Sequence, residues 1–370
     1  MAYYPSWISN VFPPEQIDFS LFDWVDFAFA MPDASFALDW DGSDRAPDIL
    51  SRLVTVAHQQ GKKVKLSVGG WGGSKWFSRA VATHFSRQTF VNNIAVTYSQ
   101  YRLDGIDLDW EYPGQQGESQ NYVDPSDTAN FLDFLKLLRD TLPPLARISA
   151  AVQTSPFSGA NGQPLDDVRA FADVLDWVTL MNYDTWGASP NPGPNAPLND
   201  ACRNSTQPAV SADAAIRSWT AAGFPPDQLV LGVPSYGYVS HSSTTRLRQR
   251  DENQLPPGSI VHVMTDEGAD TGEVQFRELV RQGVLCRDPT RHGVYTGCGG
   301  FTREWDACSS TPFLHSSAVD QVITYDDGQS LGLKAEYARQ GGLLGINIFD
   351  LHGDTGQWEL VNSLRQGLGL

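Results

Sequence analysis

Basic residues are scarce in this sequence, and long apolar runs are absent. Its 26 Lys and Arg residues are outnumbered by 43 Asp and Glu residues, which gives a formal charge of −17 over 370 residues. This charge repels nucleic acids and anionic membrane surfaces, and no basic stripe offsets it. No run of about 18 apolar residues is available to span a bilayer. We therefore expect neither a nucleic-acid partner nor a membrane partner, whereas a neutral substrate is compatible with the composition.

Motifs that bind metal ions or nucleotides are also missing. The sequence contains no H-E-x-x-H pair of zinc ligands and no P-loop. The glycine-rich segment GGWGG at 69–73 follows a strand pattern but does not open a G-x-G-x-x-G helix. We expect neither a metal ion nor a cofactor.

Only four cysteines are present, and no two of them have the C-x-x-C spacing of a zinc or redox motif: Cys202, Cys286, Cys298 and Cys308. Three of the four lie in a segment with few apolar positions, which favours two disulfides over four free thiols and leaves three connectivities open. Disulfides are typical of secreted proteins, and Asn204 begins a glycosylation sequon. We expect an extracellular protein whose leader is not part of this sequence.

Apolar, β-rich segments alternate with helical patterns along a chain long enough to bury one sizeable core. Strand patterns occur at 2–4, 25–30, 64–68, 105–110, 148–152, 177–181, 229–233 and 344–349. Helical patterns occur at 48–60, 87–101, 128–142, 168–175, 212–222 and 331–339. Eight strands interleaved with helices predict an α/β fold of the (β/α)8 TIM-barrel type, whose active sites lie at the carboxyl ends of the strands. A doubly wound sheet is the alternative on this pattern alone.

The alternation stops at 240–320, after the seventh strand. This segment contains the short β-like piece SIVHVM, the helical piece EVQFRELVRQ and three of the cysteines. A structureless loop of this length is uncommon in a compact domain. We predict a small α+β insertion domain at 240–320, between strands 7 and 8 of a catalytic barrel formed by 1–239 and 321–370.

The fourth strand pattern carries an unusual amount of charge. The segment LDGIDLDWEYPG, residues 103–114, contains four acidic residues. Because side chains alternate along a strand, Asp107, Asp109 and Glu111 share one face, and the apolar residues between them share the other. In a barrel the acids then line the interior and reach the rim at Glu111. Three carboxylates in one low-dielectric column resist joint ionisation, so at least one is expected to have a raised pKa, which suits a general acid. A carboxylate network that serves only the fold is the alternative.

The segment DGIDLDWEYPG resembles the D-G-x-D-x-D-x-E signature of the family 18 glycoside hydrolases, the chitinases, which fold as (β/α)8 barrels. The insertion is similar to the small α+β domain that deepens the substrate groove of many chitinases. The amino-acid sequence of these motifs is most similar to that of secreted fungal chitinases. Segments similar to other parts of this family are distributed along the whole chain: YYPSW, FAFAM, KLSVGGW, MNYDTWG, GVPSYGY, TYDDGQS and GGLLGINIFD.

The resemblance implies a mechanism without an enzyme nucleophile. The 2-acetamido oxygen of the bound N-acetylglucosamine attacks its own anomeric carbon, which gives an oxazolinium ion and net retention. Glu111 would act as the general acid and then as the base. Asp109 would hydrogen-bond the acetamido N–H, while Asp107 lies beneath it and shares its proton. Tyr183 would hold the acetamido oxygen in its attacking position.

The resemblance also implies a set of substrate-binding residues, several of them aromatic because the C–H faces of sugar rings pack on aromatic rings. For each aromatic residue taken alone, core packing is the alternative. The residues implied are Tyr4, Phe29, Trp71, Met181, Asp184, Trp186, Tyr236 and Phe349.

Two positions depart from the pattern of the family. Phe349 stands where a Trp is usual under the sugar being cleaved, and Tyr238 stands where an Arg is usual. With Phe349, we expect a smaller aromatic surface under the sugar at the cleavage site. With Tyr238, we expect the loss of a polar contact to the sugar or to the acids.

The expected partners are chitin and chito-oligosaccharides, bound by a monomer. Two other functions are compatible with the same signature. One is an endo-β-N-acetylglucosaminidase that acts on N-glycans, and the other is a catalytically weak chitin-binding lectin on the same fold. The intact Glu111 argues against the lectin, and the groove-deepening insertion favours a long linear chitin chain.

Overall fold

The computed structural model describes residues 1–242, 247, 263–265, 272–290 and 294–370. The first four residues of the predicted SIVHVM piece lie outside this described part. The described residues form sixteen strands: β1 (Ala2–Pro5), β2 (Trp24–Pro32), β3 (Leu38–Trp40), β4 (Lys63–Gly69), β5 (Gly105–Asp109), β6 (Arg147–Val152), β7 (Trp177–Met181), β8 (Leu229–Pro234), β9 (Tyr236–His241), β10 (Glu273–Gln275), β11 (Leu285–Arg287), β12 (Tyr295–Gly297), β13 (Thr302–Asp306), β14 (Thr311–Ser316), β15 (Gln321–Thr324) and β16 (Gly345–Phe349).

The same residues form nine α-helices, and short 3-10 turns occur between some of these elements. None of the described helices is long and apolar enough to cross a membrane. The helices are α1 (Ala46–Gln59), α2 (Phe77–Val81), α3 (His84–Tyr101), α4 (Asp127–Thr141), α5 (Arg169–Ala172), α6 (Ala212–Ala221), α7 (Phe276–Arg281), α8 (Gly328–Gln340) and α9 (Glu359–Leu368).

The main sheet confirms the barrel prediction. Its strand order is β1-β16-β8-β7-β6-β5-β4-β2-β3, and β1 also pairs with β2, so eight strands close into a (β/α)8 barrel while β3 lies at the margin. The pairings β1–β2, β2–β4, β4–β5, β5–β6 and β6–β7 are all parallel. The eight predicted strands are β1, β2, β4, β5, β6, β7, β8 and β16.

The helix predicted at 168–175 is shorter than expected. α5 covers only Arg169–Ala172. The N–H groups of Val174 and Leu175 both donate to the carbonyl oxygen of Phe171, at 3.1 and 2.8 Å, and the chain turns there into β7. By contrast, α3 begins at a capping box in which the Thr83 and Ser86 side chains each accept a hydrogen bond from the other residue's N–H.

The chain divides into two compact units, one formed by Met1–Met181 with Arg217–Val230 and the other by Asn182–Ile216 with Leu231–Leu370. In the first unit, the apolar face of β5 packs on helices, as strand alternation predicts. Trp110, just beyond β5, stacks on Phe77 of α2 with ring centroids 5.2 Å apart. The rings of Trp110 and Phe131 of α4 are nearly perpendicular, with centroids 5.4 Å apart. The opposite face of β5 therefore carries the acids.

In the second unit, β10, β9, β15, β14 and β13 form a five-stranded antiparallel sheet, and β11 pairs with β12. The piece EVQFRELVRQ, residues 273–282, contains all of β10 and all of α7. The first strand of this sheet begins at Tyr236 and its last strand ends at Thr324, slightly outside the predicted range 240–320. The bounds of the insertion domain stay a prediction. The two predicted disulfides are present and connect Cys202 to Cys308 and Cys286 to Cys298.

Candidate active site

Asp107, in the middle of β5, is fully buried and hydrogen-bonded on both carboxylate oxygens. The hydroxyls of Tyr3 and Ser67 donate to its Oδ2 at 2.9 and 2.8 Å, and the hydroxyl of Ser149 donates to its Oδ1 at 2.5 Å. Tyr3 belongs to β1, which does not neighbour β5 in the sheet, so this contact crosses the interior of the barrel. Three neutral donors therefore fix the orientation of Asp107.

A buried cation lies next to this carboxylate. Lys65 Nζ is 3.2 Å from Asp26 Oδ1 and 3.6 Å from Asp107 Oδ1, and all three side chains are fully buried. The same amine donates to Ser149 Oγ and lies 4.4 Å from the centre of the Trp177 ring. Lys65 is not among the predicted site residues, although the alternation of the polar residues Lys65 and Ser67 in β4 indicates a polar face of that strand. The positive charge offsets part of the negative charge beneath Asp109.

Asp109, the next acid toward the rim, is the carboxyl of the column whose pKa is raised well above its ordinary value. Burial is the main cause, and the charges of Glu111 and Asp107 add to it. Only 4% of Asp109 is exposed, and its Oδ1 has no hydrogen-bond partner within the described residues. Asp109 therefore holds a proton at a pH where an exposed aspartate is ionised.

We expect Asp109→Asn to make thermal stability less sensitive to pH. The pKa of Asp109 in the folded state is raised above its ordinary value of 3.8. The stability that its proton contributes is therefore fully present below pH 3.8. It is lost as the pH rises toward the raised pKa. Asparagine has no such proton, so the difference in Tm between variant and wild type should grow in favour of the variant from about pH 4 to pH 8. Calorimetry across this range measures it, and a difference independent of pH would contradict the raised pKa.

Glu111 lies beyond the end of β5 and is partly exposed. Its backbone is held by two side chains from other parts of the first unit. Its N–H donates to Ser74 Oγ at 2.9 Å, and its carbonyl oxygen accepts from Asn121 Nδ2 at 3.0 Å. The third acid of the column is thus accessible, while its backbone is fixed.

The second unit contains a cluster of predicted site residues around Asp184. The hydroxyls of Tyr236 and Tyr238 both donate to Asp184 Oδ1, at 2.6 and 2.7 Å. Asp184 as a whole residue is exposed. Desolvation of its carboxyl by the surrounding protein atoms nevertheless raises its pKa, and the hydrogen bonds from Tyr236 and Tyr238 act in the opposite direction. Tyr238, where an Arg is usual in the family, therefore supplies a neutral donor to this carboxyl.

Tyr183 follows β7 by two residues and packs among aromatic rings of the same unit. Its ring centroid is 6.2 Å from that of Phe349, with the two planes inclined by 29°, and 6.3 Å from that of Tyr236 in an edge-on arrangement. The structure thus brings together four of the predicted residues of this unit: Tyr183, Asp184, Tyr236 and Phe349.

Two predicted substrate contacts have another role. Tyr4 is fully buried, and its hydroxyl donates to the carbonyl oxygen of Phe12 at 2.7 Å, so no ring face is available to a sugar. Trp186 is only 7% exposed, and a Cβ added at Gly193 would lie 2.5 Å from its ring, so that glycine backbone covers the indole. Core packing, the alternative for both residues, is what the structure supports.

The aromatic surface of the first unit is formed by other residues. Trp71, after β4, is 54% exposed, and Trp7, after β1, is 44% exposed. Trp7 packs against the largely buried Phe29 with ring centroids 6.2 Å apart, and Phe29 in turn contacts Tyr3 at 6.3 Å. Met181, at the end of β7, is partly exposed. Trp7 is not among the predicted site residues, although its position just after a barrel strand is typical of residues at an active site.

Within the described ranges, no group of three or more His, Cys, Asp and Glu side chains is placed to hold a metal ion. β5 carries two buried carboxylates, and an accessible third follows two residues beyond its end. Carboxyl groups are the catalytic groups of most glycoside hydrolases. The model of the family described as glycosyl hydrolases family 18 matches residues 1–354. The chain belongs to this family, which confirms the resemblance seen in the sequence.

Known proteins support the same classification. A protein named chitinase-like effector from Moniliophthora roreri is 36% identical over all of this chain and 92% of its own length. Chitinase A1 from Niallia circulans is 29% identical over 83% of this chain and 42% of that protein. The crystal structure of a chitinase from Rhizomucor miehei, RmChi1, has a TM-score of 0.84 at 32% identity and covers 99% of both chains.

Proposed function

We propose that the protein hydrolyses β-1,4 bonds between N-acetylglucosamine units of chitin, outside the cell and as a monomer. The observation that carries this proposal is the acid column that starts in β5, in which Asp109, with its raised pKa, lies between the buried Asp107 and the accessible Glu111. Membership of family 18 and the chitinases among the similar proteins support the choice of substrate.

In the first step, Glu111 donates its proton to the glycosidic oxygen as the bond to the anomeric carbon breaks. The acetamido oxygen of the same sugar attacks this carbon, so an oxazolinium ion forms with no bond to the protein. In the second step, the ionised Glu111 removes a proton from the water that opens the oxazolinium ring. The acetamido oxygen attacks the anomeric carbon from the face opposite the leaving group, and water then attacks from the face that the leaving group vacated. Two inversions give net retention of configuration.

Asp109 accepts the acetamido N–H and stabilises the positive charge of the intermediate. A positive charge next to a carboxyl favours its ionised form, so the raised pKa of Asp109 falls as the oxazolinium ion develops. In this proposal Asp107 shares the proton that Asp109 gives up. The charge of the Asp107 and Asp109 pair does not change when this proton moves, and the buried amine of Lys65, 3.6 Å from Asp107, offsets part of that charge.

Tyr183 is proposed to hold the acetamido oxygen in line with the anomeric carbon, a proximity effect. Phe349 and Tyr236, which pack on Tyr183, are proposed to form the apolar floor for the sugar ring. The pair of tyrosine hydroxyls on Asp184 leaves that carboxyl a second oxygen for the substrate. Phe349 offers less ring area than a Trp, so we expect weaker binding of the sugar that is cleaved.

Further sugars of the chain are proposed to pack on the exposed rings of Trp71 and Trp7. Phe29 supports Trp7 from beneath. Both rings are exposed enough to offer a flat apolar face, which suits the C–H faces of pyranose rings.

A catalytically weak chitin-binding protein is the second candidate, because two similar proteins are named chitinase-like effector. The test is to incubate the purified protein with chitin hexamer and, separately, with a high-mannose glycopeptide, and to follow products by mass spectrometry. We expect shorter N-acetylglucosamine oligomers from the hexamer and an intact glycopeptide. Binding of the hexamer without cleavage would favour the second candidate, and release of the glycan alone would indicate an endo-β-N-acetylglucosaminidase.

A further inference from the structure

The segment after β4 contains a buried hydroxyl that reaches the backbone of Glu111. Ser74 is fully buried, and its Oγ accepts the N–H of Glu111 at 2.9 Å. The same hydroxyl donates to the carbonyl oxygen of Gly70 at 2.8 Å, with the carbonyl oxygen of Asp109 farther away at 3.3 Å. A serine hydroxyl has one donor and two acceptor sites, so these contacts are mutually compatible. Ser74 therefore connects Glu111 to the end of β4.

This connection replaces a missing strand bond. β5 ends at Asp109, and its last pairing with β4 joins Asp109 to Gly69, so the sheet no longer holds the chain at Glu111. The N–H of Gly70 still donates to the carbonyl oxygen of Asp109 at 2.8 Å. Two residues further along, the hydroxyl of Ser74 takes over as the acceptor for the N–H of Glu111.

The backbone around Glu111 is closely packed on both sides. A Cβ added at Gly69 would lie 2.0 Å from the carbonyl oxygen of Asp109, and one at Gly117 would lie 2.0 Å from that of Glu111. Asn121 Nδ2 also donates to the carbonyl oxygen of Glu111. With both neighbours in place, the hydroxyl of Ser74 determines where the N–H of Glu111 points.

We propose that Ser74 is a positioning residue for Glu111, which sets the location of the acidic proton relative to the glycosidic oxygen. This proposal rests on the proposed role of Glu111 as the general acid. A general acid must lie within hydrogen-bond reach of the atom that it protonates, and a displacement of about 1 Å can cost about a hundredfold in rate. Loss of the Ser74 hydroxyl would therefore affect the step in which the leaving group needs a proton.

The choice of leaving group separates positioning from a general loss of structure. A sugar hydroxyl is a poor leaving group and departs only with a proton from Glu111. The 4-nitrophenolate ion is a stable anion and departs without one. Misplacement of the acid should therefore slow hydrolysis of a chitin oligomer far more than hydrolysis of a 4-nitrophenyl glycoside of chitobiose.

The experiment measures kcat and KM on both substrates for the wild type, Ser74→Ala and Ser74→Thr. For Ser74→Ala we expect kcat on the oligomer to fall roughly tenfold to a hundredfold, with KM within about twofold, and kcat on the aryl glycoside to fall less than about threefold. Ser74→Thr keeps the hydroxyl and should recover most of the oligomer activity.

Ser86→Ala is the matched control, because it also removes a buried serine hydroxyl that accepts a hydrogen bond, but in the capping box of α3. It should lower Tm and leave the ratio of the two activities unchanged. Equal losses on both substrates in Ser74→Ala, or a loss confined to KM, would overturn the positioning role while leaving the proposed function intact. A wild type that cleaves neither substrate would refute the proposed function, and the role of Ser74 with it.

Discussion

Glu111→Gln is expected to keep its fold and its affinity for chitin oligomers and to lose at least about a hundredfold in turnover. Glutamine has nearly the same size, and the contacts from Ser74 and Asn121 involve only the backbone at this position. An amide has no acidic proton to give to the leaving oxygen. Initial rates on chitin hexamer, calorimetric binding and Tm together measure the three expectations.

Glu118→Gln provides the control, because Glu118 is a partly exposed carboxylate of the same segment that accepts hydrogen bonds from its neighbours Ser119 and Gln120. Its turnover should equal that of the wild type. Near-normal turnover in Glu111→Gln would remove Glu111 from the acid role, and unchanged turnover with lost binding would mean that it contacts the sugar without protonating it.

The second large effect concerns the substrate. If the attacking oxygen belongs to the substrate, the sugar on the non-reducing side of the cleaved bond must carry an N-acetyl group, because a hydroxyl or a free amine at C2 has no carbonyl oxygen. Chitin oligomers should be cleaved, whereas cellulose oligomers and fully deacetylated chitosan should not. A well-placed intramolecular group lowers a barrier by roughly 7–11 kcal/mol, far more than lost contacts in one subsite would explain.

Partly acetylated chitosan gives the sharpest measurement, because both kinds of sugar are present in one polymer. After digestion, the sugars at the new reducing ends should be N-acetylglucosamine. Glucosamine at these ends as often as in the starting polymer would refute the substrate-assisted mechanism, even for a protein that hydrolyses the polymer.

The barrel could be predicted because each of its strands is a short apolar segment separated from the next by a helical pattern. Strand alternation also predicted the face of β5 that carries the acids, since Asp107 and Asp109 differ so strongly from the residues between them. α5 was the exception, because the two-turn pattern at 168–175 does not reveal that the chain turns back at Phe171.

The sequence of β1 does not show which of its residues face the interior of the barrel. All four residues of β1 are buried, so no alternation of polar and apolar residues separates its two faces. Tyr4 was therefore assigned to the site, whereas the hydroxyl of the adjacent Tyr3 is the one that reaches Asp107. Lys65 was overlooked for a related reason, because a buried lysine is rare unless it is paired, and its partners lie on other strands.

Cysteine connectivity depends on contacts between distant segments, which the spacing of cysteines does not contain. This connectivity has a consequence for biosynthesis. Cys286 and Cys298 are separated by 12 residues and can meet almost as soon as they are synthesised, whereas Cys202 must await a partner 106 residues later. At about 5–20 residues per second, the thiol of Cys202 stays unpaired for roughly 5–20 s, during which Cys286 and Cys298 emerge as competing partners. Correct pairing is therefore favoured when the local bridge closes first, so that Cys308 is the only thiol left for Cys202.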